Sequence, residues 1–150
     1  LYNRAVDDEP VARAICEAML EVDPEMVLLA LAGSPWITIA QDMGLRVAPE
    51  VFADRGLNHD GTLVSRSLEG ALLHDADEVA ERCVRMVTEG VATTITGEEI
   101  SVEATSLCMH SDSPGAVEMF AAVRKGLEEA SVDIRSLGEL TTARNTGAGG

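Results

Sequence analysis

Apolar residues recur at helical spacing over residues 9–22, where Val11, Ala14, Ile15, Ala18, Met19 and Val22 share one face, and Asp23-Pro24 stops the pattern. Met26 to Ala32 is instead a continuous apolar run, too short for an ordinary helix and closed by Gly33-Ser34-Pro35. That pattern predicts a strand buried on both faces. Trp36 to Met43 reads as a short helix ended by Gly44, and Arg46 to Phe52 as the next strand, with Val47, Val51 and Phe52 as its β-favouring content. Residues 52–66 hold Gly56, Asn58, Asp60 and Gly61, which is turn chemistry, at a length that favours a functional loop over a simple connection.

A helix is predicted from Asp75 to Gly90 by Ala76, Val79, Ala80, Cys83, Val84 and Val87. Val91–Ile95 and Glu99–Glu103, joined across Thr96-Gly97-Glu98, suit a hairpin. Thr105 to Met109 reads as a buried strand reaching His110. A helix then starts at Ser113, as cap, with Pro114 in its first turn and Val117, Phe120, Ala121 and Leu127 as its buried stripe. A last strand is expected at Val132–Arg135. From Gly138 the chain is rich in Gly, Thr, Ala and Asn without periodicity, which predicts a disordered tail. Strands alternating with helices predict an α/β fold, a largely parallel sheet or barrel with its site at the carboxyl ends of the strands.

Composition narrows the function classes. An apolar content of 46% fits a globular domain, and no window approaches the apolar length of a membrane helix. A soluble, cytoplasmic protein is expected, since the first ten residues lack the features of a secretory signal. The net charge of −15, with Lys125 the sole lysine beside ten arginines, disfavours nucleic acid and anionic membrane as partners. Such an acidic surface resembles that of proteins from salt-loving organisms. Cys16, Cys83 and Cys108 are odd in number and set in apolar surroundings, so they read as small buried hydrophobes rather than a disulfide framework or zinc knuckle.

Three strand ends carry polar groups: Gly33-Ser34, then Glu50 with Asp54 and Arg55, then His110 with Asp112. If all three open onto one face, carboxylates and an imidazole there supply general acid and base catalysis, and the arginines, Arg66 included, hold an anionic group. Each has a plainer reading. Asp54 and Arg55 form a surface ion pair, Arg66 is a solvated loop residue, His110 is structural, and Asp112 favours the following helix. Glu50 resists that treatment, because an unpaired carboxylate inside an apolar strand is costly. His59 and His74 receive no role. The Walker, G-x-G-x-x-G, G-x-S-x-G and His-Glu-x-x-His patterns do not occur. A metal site could be built from His110, Asp112 and Asp54, although no ligand pair at helical spacing announces one.

Pro49-Glu50-Val51-Phe52-Ala53-Asp54-Arg55, Asp60-Gly61-Thr62-Leu63-Val64-Ser65-Arg66-Ser67 with Gly70-Ala71, and Cys108-Met109-His110-Ser111-Asp112-Ser113-Pro114-Gly115-Ala116-Val117 together resemble the family of the 5-oxoprolinase A subunit, also called the LamB/YcsF family. Ala32-Gly33-Ser34 and Leu1-Tyr2-Asn3 match its pattern too, so the resemblance runs from residue 1 to about residue 135. It implies part of a distorted seven-stranded (β/α) barrel of the glycoside hydrolase/deacetylase type. A complete barrel of this kind takes roughly 250 residues, so the expectation is that residues 1–137 are the carboxyl-terminal part of one, entered inside a motif at Leu1, and that this part alone is inactive.

The activity implied is ATP-dependent ring opening of 5-oxoproline to L-glutamate with the 5-oxoprolinase subunits B and C as partners, ATP being a co-substrate that the partners could bind. On that reading Glu50, Asp54 or Asp112 activates water, His110 assists proton transfer, and Asn3, Ser34, Arg55 and Arg66 bind substrate. The metal requirement stays open. Rival readings are a metal-dependent amide or acetyl hydrolase of the related barrels, and a non-catalytic binding subunit. Two positions depart from the family pattern, Ser65 in place of Pro and Ser111 in place of Gly. The first loosens its loop, and the second is strained if the backbone there needs positive φ.

Overall fold

The computed structural model describes residues 1–112 and 114–139, which fall into two compact units. The first is Leu1–Pro49 together with residues 134–139, and the second is Glu50–Asp133.

The first unit opens with α1 (Tyr2–Asp7), a helix that the apolar pattern does not announce, followed by α2 (Glu9–Val22), β1 (Val27–Leu31) and α3 (Pro35–Asp42). Asp8 caps α2 by accepting from the Val11 amide at 3.3 Å, and Pro10 occupies its first turn, where no amide partner is needed. Ala5, Ala12, Cys16, Leu28, Ala30, Trp36, Ala40 and Leu45 form its core. Tyr2 meets Trp36 edge to face with ring centroids 5.5 Å apart. Gly44, at φ +89°, ends α3, with its amide on Gln41 O and the Leu45 amide on Ala40 O. The strand at 27–31 is buried on one face and half-buried on the other at Val27 and Leu29, so it is less enclosed than its composition predicts.

β2 (Arg46–Phe52) carries the chain into the second unit, which adds α4 (Ala76–Thr88), β3 (Val91–Thr93), β4 (Glu99–Ser101), β5 (Ser106–Cys108) and α5 (Ala116–Glu129). β2 pairs in parallel with β5, placing Glu50 against Ser106, Val51 against Leu107 and Phe52 against Cys108. β3 and β4 form the expected antiparallel hairpin. Asp75 caps α4 by accepting from the Asp77 and Glu78 amides.

Three expectations need correcting. The last helix begins at Ala116 with Gly115 as its N-cap at φ +79°, so Pro114 precedes the helix; Ser113 lies outside the described residues. Its buried stripe is Ala116, Met119, Val123 and Leu127, while Val117 and Phe120 are exposed by 78% and 45% and Ala121 is also exposed. Both stripes have helical spacing, and close helix packing decides between them. A Cβ at Gly126 would lie 3.3 Å from Val84 Cγ2, so α5 packs closely on α4 at Gly126, while Phe120 stays exposed. No strand forms at Val132–Arg135. The Val132 amide closes α5 by bonding Leu127 O at 2.9 Å, with Ser131 at φ +59°. The tail expected from Gly138 lies, from residue 140 on, outside the described residues.

Candidate functional site

The parallel pairing of β2 with β5 brings the two strand ends together, so the residues following each strand become neighbours. The Ala53 amide extends the ladder by one bond to Cys108 O at 2.9 Å, which holds Asp54 beside the segment leading to His110. Asp54 is 3% exposed. Its carboxylate takes three contacts from one residue: His110 Nδ1 lies 2.8 Å from Oδ2 and 3.0 Å from Oδ1, and the His110 amide donates to Oδ2 at 3.4 Å. A carboxylate only accepts, so the proton of a neutral imidazole sits on Nδ1 and Nε2 keeps its lone pair. Phe52 stacks on the imidazole with centroids 5.9 Å apart and planes 22° from parallel, fixing the ring from the side. The imidazole itself is about one-quarter exposed, so a half-buried base is oriented by a buried acid.

The loop carrying Asp54 is built as a rigid piece. Arg55 is buried rather than part of a surface ion pair, and its guanidinium points into the loop, where Nε donates to Ala71 O at 3.1 Å and Nη2 to Val64 O at 2.7 Å. Burial lowers its pKa, the nearby Arg66 charge lowers it further, and Asp54 opposes both. The Asp54 carbonyl accepts from the Leu73 amide at 3.0 Å, and the Gly56 amide donates to Ala71 O. Further out, Asp60 accepts from the Thr62 amide and hydroxyl, and Asn58 donates to Thr62 Oγ1 at 2.9 Å.

The other candidate residues are placed differently. Glu50 is half-buried on β2, two residues before Phe52 and hence on the same face of the strand. Its charge raises the Cys108 thiol, which burial already pushes up, to about 11. Asp112 and Arg66 are exposed. Asn3 is exposed on α1 of the first unit, and Ser34, 8% exposed, precedes α3 there with its hydroxyl making no hydrogen bond among the described residues. The strain considered for Ser111 does not arise, because Ser131 is the only non-glycine residue with positive φ among those described. His59 and His74 are exposed. Among the described residues no three His, Cys, Asp or Glu side chains gather as a metal site. Cys16 and Cys83 are buried and Cys108 is half-buried.

Two contributors are not evident from the sequence pattern. Phe52 reads as core, and only its alternation with Glu50 and Asp54 hints at its stacking role. Arg82 also enters this region from α4, donating from Nη2 to Arg55 O at 3.1 Å and from Nη1 to Thr93 O at 2.8 Å. Its signal lies in the spacing, since position 82 falls three residues after the buried Val79 and four before the buried Met86.

The parallel strand pair and the Asp54–His110 pair at its carboxyl end define a mixed α/β protein whose local chemistry is suited to moving a proton. More particularly, the chain belongs to the LamB/YcsF family, whose model matches residues 1–142. It is 46% identical over 140 residues to the A subunit of 5-oxoprolinase from Pyrococcus furiosus, and 47% identical over 137 residues to the protein of the same name from Coprothermobacter proteolyticus. These matches cover 93% and 91% of this chain but 55% and 52% of the relatives, so the chain spans about half their length. The crystal structure of a lactam utilization protein from Thermus thermophilus matches with a TM-score of 0.82 at 39% identity, over 91% of this chain and 54% of that one. No helix among the described residues is long and apolar enough to cross a membrane.

Proposed function

We propose that this chain is part of the hydrolytic subunit of an ATP-dependent 5-oxoprolinase, which opens the five-membered lactam of 5-oxoproline to L-glutamate together with subunits B and C. The observation that carries the chemistry is the Asp54–His110 pair, in which Nδ1 faces the carboxylate and the lone pair of the neutral imidazole is on Nε2; the names of the relatives supply the substrate class. The whole protein is a distorted seven-stranded (β/α) barrel on this reading, and it works in the cytoplasm, where ATP is supplied.

An unstrained lactam amide is a poor electrophile. Transfer of the γ-phosphoryl group of ATP to the lactam oxygen, assigned to the partner subunits, releases ADP and leaves an activated carbon. Water then adds there as His110 Nε2 takes its proton, and Asp54 stabilises the imidazolium through Nδ1. Collapse of the adduct breaks the C–N bond, and the protonated imidazole returns its proton to the departing amine. A second water releases phosphate from the resulting acyl phosphate. Glu50 is the second carboxylate on this face, Asp112 is the further candidate for activating water, and Arg66 is assigned to holding the anionic group of the substrate.

Glutamate release from 5-oxoproline and ATP, assayed with the full-length chain and both partner subunits, tests the proposal. His110→Ala is expected to lower kcat by roughly 10²–10⁴-fold, the usual worth of a general acid–base group, with Glu50→Gln also impaired. Full activity in both variants would overturn the catalytic assignment and leave a binding role.

A further inference from the structure

Arg82 is a half-buried guanidinium that neither the substrate chemistry nor an ion pair explains. Among the described residues no carboxylate bonds it; its donors go to two main-chain carbonyls, Arg55 O and Thr93 O, and its Nε is buried without a partner. Burial lowers its pKa, so the protein bears a cost for keeping the charge there. A neutral core side chain would fill the same space on α4 without that cost. The two carbonyls are the informative part. Arg55 O belongs to the residue directly after Asp54, and Thr93 O belongs to β3, so Arg82 fastens the backbone at Asp54 to α4 and the hairpin at once. The Leu73 amide holds the Asp54 carbonyl itself, and the Arg55 side chain holds the returning loop at Val64 and Ala71.

We propose that Arg82 is a positioning residue, which fixes the backbone at Asp54 so that the Asp54 carboxylate stays in register with His110 Nδ1. The inference rests on the proton-transfer reading of that pair. The carboxylate spans both oxygens of its contact with Nδ1 at 2.8 and 3.0 Å, a geometry that a shift of about 1 Å in the backbone would break, and misplacement of that size commonly costs on the order of 10²-fold in rate. Without Arg82 the Arg55 and Thr93 carbonyls lose their side-chain donor, and the tie from the backbone beside Asp54 to α4 and β3 is gone.

The experiment uses the full-length protein with its partner subunits and compares Arg82→Met, Arg82→Lys, His110→Ala and the surface control Arg124→Ala, whose side chain pairs with Glu128 on an exposed face of α5. Rates are normalised to folded protein, and the Nδ1 proton of His110 is followed by NMR. The expected result is a 10- to 100-fold loss of kcat in Arg82→Met with KM within about twofold, loss or displacement of the Nδ1 proton signal, and partial recovery in Arg82→Lys, whose ammonium reaches one carbonyl but lacks the fork for two. If His110→Ala is inactive while Arg82→Met keeps both its kcat and the Nδ1 signal, Arg82 serves the fold alone and the proposal is overturned. If His110→Ala is fully active, the proton-transfer reading falls first. Should Arg82→Met fail to fold, Arg82→Lys decides: a lowered kcat with a displaced Nδ1 signal supports positioning, and wild-type values for both overturn it.

Discussion

The charge of Asp54 reaches beyond His110. It raises the pKa of Cys83 and of Cys108, and in both burial is the larger cause, lifting them to about 12 and about 11. Thiols held so high stay protonated at neutral pH and are poor nucleophiles. Cysteine-directed reagents at pH 8 are therefore expected to label both far more slowly in the folded protein than in urea, where a pKa of about 8.5 returns. The same shifts set an alkaline limit. The unfolded thiols ionise first as pH rises, so the stability contributed by keeping them neutral is fully present below about pH 8.5 and drains away between there and pH 11–12. Chemical denaturation from pH 7 to about pH 11 checks this, the expected outcome being a falling midpoint that Cys83→Ala flattens. Asp54 and His110 can be singled out from sequence because both are polar residues following closely on apolar strands. Arg55 reads as a surface charge because sequence displays its guanidinium but not the turn that folds Val64 O and Ala71 O around it.

Elements bounded by local signals are the readable ones. Asp75, Gly44 and the proline pattern mark helix ends by forces acting within a few residues, and β2 at Arg46–Phe52 is legible from Gly44 before it and from Val47, Val51 and Phe52 within it. α5 is harder, because two stripes of similar spacing compete and only packing against α4 chooses between them. The end of α5 yields a prediction. Ser131 sits at φ +59° where the Ser131 amide bonds Glu128 O and the Val132 amide bonds Leu127 O, the arrangement in which glycine is favoured. Ser131→Gly is expected to stabilise the protein by about 0.5–1 kcal/mol in urea unfolding, since it removes left-handed strain. Gly56→Ala should do the reverse. Its backbone φ is ordinary, but an added Cβ would overlap the Gly70 carbonyl oxygen and come within 2.8 Å of Ile95 Cγ2. A loss of about 1–3 kcal/mol is expected, as for overpacked cores generally, together with reduced activity because Gly56 is two residues from Asp54.

At the scale of the whole molecule, charge decides how solution conditions act. Fifteen excess negative charges form about a hundred like-signed pairs. At a separation of roughly 15 Å each pair is worth about 0.3 kcal/mol unscreened in water and some hundredths at about 0.1 M salt, which still sums to a few kcal/mol against the compact state. Salt also weakens attractive pairs, and five of the ion pairs among the described residues are helix contacts at the surface spaced i to i+4, such as Arg13 with Glu9 and Arg124 with Glu128. Contacts of that kind contribute about 0.3–0.5 kcal/mol each, so the loss of all five amounts to about 2.5 kcal/mol at most. Repulsion therefore wins, and raising KCl from about 0.1 M to about 2 M is expected to stabilise the fold, with a rise in Tm of roughly 3 °C or more. Thermal unfolding of the full-length protein across that range measures it directly. A Tm that is flat or falls with KCl would show that the acidic surface is not adapted to concentrated salt. Charge-neutralising substitutions at exposed acidic positions such as Glu17 and Glu21 should raise Tm in dilute buffer and lose that advantage in concentrated KCl, because both routes remove the same repulsion.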